Sequence, residues 1–238
     1  MPLCKLCQEE RVLRNSHIVP EFLYGDTYNS KHQMMGIHGH GSRGWEVQQK
    51  GLREYLFCDT CEQHFNDHFE KPFRRAWIEN CPLLDPWNAD DVHWIQVDYA
   101  DFKLFHLSVL FRAGMSSLPT FAEVSLGPHE DRLRRMLLQM NPGRAEQYPI
   151  FGYAVVHHRT RQIVQMVSKA QASRIGGRRC YGFMYGGVQW WIGVASDTNH
   201  ELQRVALRTD GQIPFSGVPW NEIAVVQEMS HALRTSSV

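Results

Sequence analysis

Two thiol pairs with the same spacing, Cys4-Lys5-Leu6-Cys7 and Cys58-Asp59-Thr60-Cys61, are the residues of this chain best placed to do chemistry. A Cys-x-x-Cys turn lets both sulfurs reach one metal ion, and two such pairs supply the four thiolates of a tetrahedral structural zinc site. The stretch from Cys7 to Cys58 is longer than the usual gap between pairs, so it reads as an insertion closed by the metal. Buried or redox-active thiols are the competing use. Cys81 and Cys180 stand alone in sequence and read as small core residues.

Directly after Cys61 the chain reads as a helix, with Pro72 disrupting it near its end. Its polar residues fall into stripes: Glu62, Asn66 and Glu70 at i, i+4, i+8 on one face, with His64 and His68 on a face roughly opposite. Phe65, Phe69 and Phe73 form a third stripe, the natural core-facing one. Upstream, His17 sits where a short strand or hairpin arm, marked by Val12, Ile18 and Val19, is stopped by Pro20. Carboxylates and histidines are the side chains that hold hard divalent ions or move protons; on a solvated helix face they do neither.

The elements that must position these groups follow from pattern. Residues 25 to 51, rich in Gly, His, Ser and Asn, read as a long surface loop. Its His32, His38 and His40 could bind a metal only weakly, whereas Arg43 and Lys50, with Arg53 just beyond, suit phosphate contacts. Residues 79 to 91, with Pro82, Asp85-Pro86 and an acidic cluster, look like a linker. A helix apolar nearly all round is expected over residues 98 to 115, stopped by Gly114, and a second over 128 to 140 with Leu133, Met136, Leu137 and Met140 buried. Strands are expected at 150–157 and 162–168, then at 180–185 and 188–195 around the Gly186-Gly187 turn. Trp190 and Trp191 read as sheet-packing residues, and 220–233 as a closing helix. The fold class is α+β: a zinc-stapled unit over 1–80, a linker over 81–97, and a second unit of helices packed on an antiparallel sheet over 98–238.

The 238 residues carry 25 basic and 25 acidic side chains, so the basic excess of a typical nucleic-acid binder is missing and any such surface is a local patch. No apolar run approaches a membrane span, and the N-terminus lacks a secretory layout. Thiols then stay reduced, the compartment is expected to be cytoplasmic, and no membrane partner is expected.

Taken in order, Cys-x-x-Cys, then Ser16-His17-Ile18-Val19-Pro20, then Leu56-Phe57-Cys58-x-x-Cys61-Glu62 resembles the HNH endonuclease family, over about the first seventy-five residues. The resemblance implies a ββα-metal fold, a general base at His17, and a divalent ion, Mg2+ or Mn2+, at Glu62 with Asn66 one turn on. It implies phosphodiester hydrolysis in DNA or RNA, and by analogy with uncharacterised bacterial HNH-type proteins a part in defence against phage or mobile DNA, with a regulatory protein partner. Two positions depart from the family pattern. Ser16 stands where a metal-binding Asp or His is common, and Arg53 falls where an Asn is expected, so Glu70, Glu21 or a loop histidine would have to complete the ion's shell. The competing readings are a noncatalytic zinc-stapled module that binds nucleic acid or protein, and an enzyme whose site lies wholly in the second unit.

Overall fold

A computed structural model describes residues 1–31, 34–37, 45–48, 51–88, 91–194, 200–224 and 226–227. The first strand, β1 (Leu13–His17), pairs antiparallel with β4 (Arg53–Cys58). The register sets Leu13 opposite Cys58 and His17 opposite Arg53, with an irregularity between Arg14 and Asn15. Between these strands lie a 3-10 segment, Glu21–Thr27, and a hairpin of β2 (Met34–Ile37) and β3 (Trp45–Gln48). The stretch expected to be an unbroken loop therefore contains two strands, which its Gly-rich composition concealed. His32, His38, His40, Arg43 and Lys50 lie outside the described residues.

Strand β4 feeds directly into a helical run over 59–79: α1 (Asp59–Phe65), a π-helical segment Asn66–Glu70, α2 (Lys71–Phe73) and a second π segment Arg74–Glu79. The run passes through Pro72 instead of ending there. Pro72 has no N–H to give to the preceding turn, and a widened π turn is a standard way to absorb that loss. The phenylalanine stripe is core-facing as expected, with Phe65, Phe69 and Phe73 at 0%, 0% and 1% exposure.

The stretch expected to be a linker contains β5 (His93–Gln96), which pairs antiparallel with β10 (Gln212–Phe215). Next come α3 (Tyr99–Met115), capped by the Asp98 carboxylate accepting from the Asp101 N–H, and α4 (His129–Leu138). Gly114 is inside α3 and does not stop it; a Cβ there would lie 2.3 Å from Leu126, so the glycine permits close approach of the chain that follows. Leu133, Met136 and Leu137 are buried, but Met140, past the end of α4, is half exposed.

The main sheet has the order β11-β6-β9-β8-β7. It is built from β6 (Ile150–Val156), β7 (Gln171–Ile175), β8 (Arg178–Tyr185), β9 (Val188–Gly193) and β11 (Gly217–Pro219), with only β11 running parallel to its neighbour. The hairpin at Gly186-Gly187 forms as expected, with φ of 58° and 79°. A twin at Gly176-Gly177, φ of 56° and 78°, joins β7 to β8 and was not anticipated. The strand expected over 162–168 is reduced to a single bridge, Val156 to Ile163, because β9 and its Gly186-Gly187 turn already take that edge of β6 as far as Val155. A short helix, α5 (His200–Val205), precedes β10. The closing helix begins as a 3-10 turn, Trp220–Glu222, and most of the rest of that expectation lies outside the described residues.

One hydrophobic core runs from Cys4 to Phe215 and takes side chains from both sides of residue 80. Phe73 stacks on Phe105 at 3.7 Å and 9°, Trp77 packs edge-on to Trp190, and the Trp77 indole N–H donates to the Gly186 carbonyl at 2.8 Å. Polar ties cross the same boundary. Arg134 Nε donates to the Lys5 carbonyl, His64 Nε2 to the Leu137 carbonyl, and Ser116 and Ser117 to the Glu54 carboxylate. No helix among the described residues is long and apolar enough to cross a membrane.

Candidate metal centre and the His17 pocket

The four paired thiols converge. The Sγ atoms of Cys4, Cys7, Cys58 and Cys61 all lie within 4.8 Å of one another, with Cys7 and Cys58 3.9 Å apart. Local structure explains why. Cys4 and Cys7 sit on a turn closed by the Gln8 N–H on the Cys4 carbonyl, and Lys5 N–H donates to the Leu56 carbonyl of β4. Cys58 ends β4 and Cys61 lies in the first turn of α1, so the sheet-to-helix joint brings both sulfurs under the turn. The Cys58 N–H donates to Cys4 Sγ at 3.3 Å. Burial works against the Cys4 thiolate, but backbone N–H groups outweigh it and lower its pKa. Burial and the neighbouring thiols push Cys61 well up. Four thiols packed this closely, three of them buried, cannot all ionise side by side without a cation, so this cluster could hold a metal ion. Cys180 is buried as expected; Cys81 is exposed, at φ 47°, and is not a core residue.

A second polar pocket lies at the other end of β1. Because His17 and Arg53 are cross-strand partners, their side chains share a face, and Arg53 Nε donates to His17 Nε2 at 2.8 Å. That bond makes Nε2 the acceptor and leaves the ring proton on Nδ1. Glu21, the residue directly after Pro20 and the first of the 3-10 segment, holds Arg53 through an ion pair of 2.6 Å, with the same oxygen 2.8 Å from His17 Nε2. Burial first, then the Arg53 charge, pull the His17 pKa down to about 4, so the imidazole is neutral near pH 7. With this ring neutral, the Glu21 carboxylate pairs with Arg53 and not with the histidine. The His17 side chain stays 20% exposed and Arg53 24%.

Glu62 lies in the first turn of α1, half-buried, and burial raises its pKa against the opposing pull of Arg112 and the Ser16 hydroxyl. Its Oε1 is buried without a hydrogen-bond partner. Glu70 pairs with Arg112 at 2.6 Å. Asn66, between them on the helical run, is half-buried. His64 is engaged by the Leu137 carbonyl and lies beside the exposed His68, ring centres 4.9 Å apart, so both stand apart from the His17 pocket.

Arg112 was not singled out from the sequence. It comes from α3, is 1% exposed, donates from NH1 to the His17 carbonyl at 3.2 Å, and lies 4.3 Å from the Phe65 ring centre. The available signal was a charged residue inside a helix apolar nearly all round, which a core tolerates only with a partner.

Comparison with protein-family models, with curated proteins and with solved structures finds no match for this chain.

Proposed function

We propose that the chain is an HNH-like phosphodiesterase acting on DNA or RNA, with a structural zinc at Cys4, Cys7, Cys58 and Cys61 and His17 as general base. The zinc assignment rests on donor chemistry and spacing. Four thiolates at about 2.3 Å from a tetrahedral zinc stand about 3.8 Å apart, and Cys7 to Cys58 is 3.9 Å. This ion would fix the turn to the β4–α1 joint and so hold β1, with His17 at its end, against the helical run.

The observation that carries the hydrolase reading is the His17–Arg53–Glu21 arrangement. A partly open arginine is held by a carboxylate beside a neutral imidazole. A phosphodiester monoanion can replace that carboxylate as the partner of Arg53, one anion for another. As Arg53 turns to the phosphate, Nε2 of His17 loses its donor and its lone pair becomes free to take a proton from water attacking phosphorus, while the opposite P–O bond breaks and the leaving sugar oxygen takes a proton from solvent. Arg53 then faces the oxygens on which negative charge grows.

The Mg2+ or Mn2+ expected at Glu62 and Asn66 does not fit the site as built. Ser16 offers a hydroxyl where a carboxylate would be needed, burial raises the Glu62 pKa and so works against its charged form, and Glu70 is committed to Arg112. Proton transfer to His17 and charge stabilisation by Arg53 need no such ion. A role in defence, and a regulatory protein partner, rest on the resemblance alone. The occupied Nε2 of His17 favours one second reading, a noncatalytic zinc-stapled module that binds nucleic acid through Arg53.

Both readings place phosphate on Arg53, which fluorescence anisotropy can test with labelled single-stranded DNA, duplex DNA and RNA. Arg53→Met should weaken binding of the preferred substrate about tenfold and flatten its salt dependence by about one phosphate contact. Equal affinity and equal salt slope would remove Arg53, and with it the proposed site.

A further inference from the structure

Two carboxylates and a backbone carbonyl from the helical run and β1 face one buried positive charge, with the Ser16 hydroxyl beside one of the carboxylates. Glu62 and Glu70 come from the helical run after β4, and the His17 carbonyl and Ser16 hydroxyl from β1. The charge is the Arg112 guanidinium of α3, bonded to Glu70 and to the His17 carbonyl and felt by Glu62 as its largest attractive neighbour. Two polar atoms in this space, Glu62 Oε1 and Arg112 Nε, are buried with no hydrogen-bond partner, so the guanidinium does not satisfy the pocket completely. Without the arginine, the remaining donors are all hard oxygens, the set that Mg2+ and Mn2+ prefer.

We propose that Arg112 is an internal replacement for a divalent cation. It supplies the positive charge that holds Glu62, Glu70 and the end of β1 together, and it excludes Mg2+ and Mn2+ from this pocket. The exclusion follows from placement. Arg112 is 1% exposed, lies on the Phe65 ring and springs from the buried last turn of the core helix α3, tied there to Glu70 and the His17 carbonyl, so it cannot swing out to make room. A divalent ion entering beside it would meet a like charge where little water screens the repulsion. The inference concerns the resident cation and does not depend on His17 acting as a base.

The test is calorimetric titration of the zinc-loaded full chain with Mn2+, with electron paramagnetic resonance as a second readout. Wild type should show no stoichiometric Mn2+ site at millimolar metal. Arg112→Met, which fills similar space without charge, should gain one site, and Arg112→Gln, which keeps donors for Glu70 and the His17 carbonyl, should gain a weaker one. Adding Glu62→Gln to either variant should abolish it. A stoichiometric Mn2+ site in wild type that Glu62→Gln removes would overturn the proposal, whatever the variants do. So would a folded, zinc-retaining Arg112→Met or Arg112→Gln chain that binds no Mn2+. Neither result depends on nuclease activity.

Discussion

Replacing Arg112 by alanine removes the side chain that joins α3 to both β1 and the helical run. Arg112 is 1% exposed and its partner Glu70 21%, so water can do little to compensate the orphaned carboxylate. Breaking one side of a buried ion pair costs about 3–5 kcal/mol, because the surviving charge stays buried, and the lost contact with the Phe65 ring adds about 1 kcal/mol. Against a typical total of about 5–15 kcal/mol, the variant should fold but unfold at much lower urea. Urea titration of zinc-loaded protein, followed by fluorescence of the buried Trp77, Trp87 and Trp190, measures it. The loss should also depend on pH. Glu62 already has a raised pKa, and removing Arg112 raises it further. An acid whose folded pKa exceeds its unfolded one favours folding when protonated, and that contribution is lost as pH rises through the folded pKa. The Arg112→Ala penalty should therefore shrink as pH falls from neutral toward the ordinary carboxylate range. The same variant made with Glu70→Gln should lose less than the sum of the two single losses. A penalty below about 1 kcal/mol, the same at both ends of that pH range, would refute the reasoning, since a buried ion pair cannot be broken so cheaply.

Cys58→Ser should lose the bound zinc and, with it, the ordered packing of residues 1–17 on β4, because metal binding and folding are linked in such sites; a metal assay showing one zinc per chain in the variant would contradict the four-thiol site. Arg53→Gln should raise the His17 pKa from about 4, since the Arg53 charge is the second cause of its depression, and a histidine proton titration by NMR that does not move would exclude their contact. His17 also sets a stability window. Its folded pKa lies below the unfolded value of about 6.5, so its contribution is complete above that pH and is lost as pH falls toward 4. Lys103 is buried on the Tyr99 hydroxyl and the Arg144 carbonyl, with its pKa pushed down to about 7 by burial. The unfolded chain holds that proton up to about pH 10.4, so Lys103→Met should stabilise the protein at neutral pH and gain progressively less as pH rises from 7 toward 10. An equal melting-temperature shift throughout would assign the effect to packing instead.

What the sequence displayed, and what it hid, divides along physical lines. The thiol pairs were legible because two-residue spacing is a local constraint that survives any intervening fold. The Phe65, Phe69 and Phe73 stripe was legible for the same reason, since its period is written into consecutive turns. The Gly186-Gly187 hairpin was read from its flanking apolar strands; Gly176-Gly177 has the same turn chemistry but is followed by Arg178 and Arg179, which masked the strand. The β2–β3 hairpin lacked any alternating pattern strong enough to stand out from a Gly- and His-rich stretch. Partners distant in sequence were the hardest. Arg53 facing His17 follows from strand register, which no local pattern reveals, and Arg112 reaches the pocket from an element that looks purely structural. Its clue was thermodynamic: a charge inside the apolar helix α3 requires a buried partner somewhere else in the chain.

The proposed role of His17 as the base of a phosphodiester-cleaving site is measured directly by single-turnover cleavage. Zinc-loaded wild type and His17→Ala, matched for zinc content and circular dichroism, are incubated with end-labelled single-stranded DNA, duplex DNA and RNA, without and with added Mn2+. Wild type should cut at least one substrate with no need of added Mn2+, and His17→Ala should cut it about 10²–10⁴-fold more slowly, the usual contribution of a positioned general base. Equal cutting by the two proteins, or no cutting of any substrate by wild type, would contradict it.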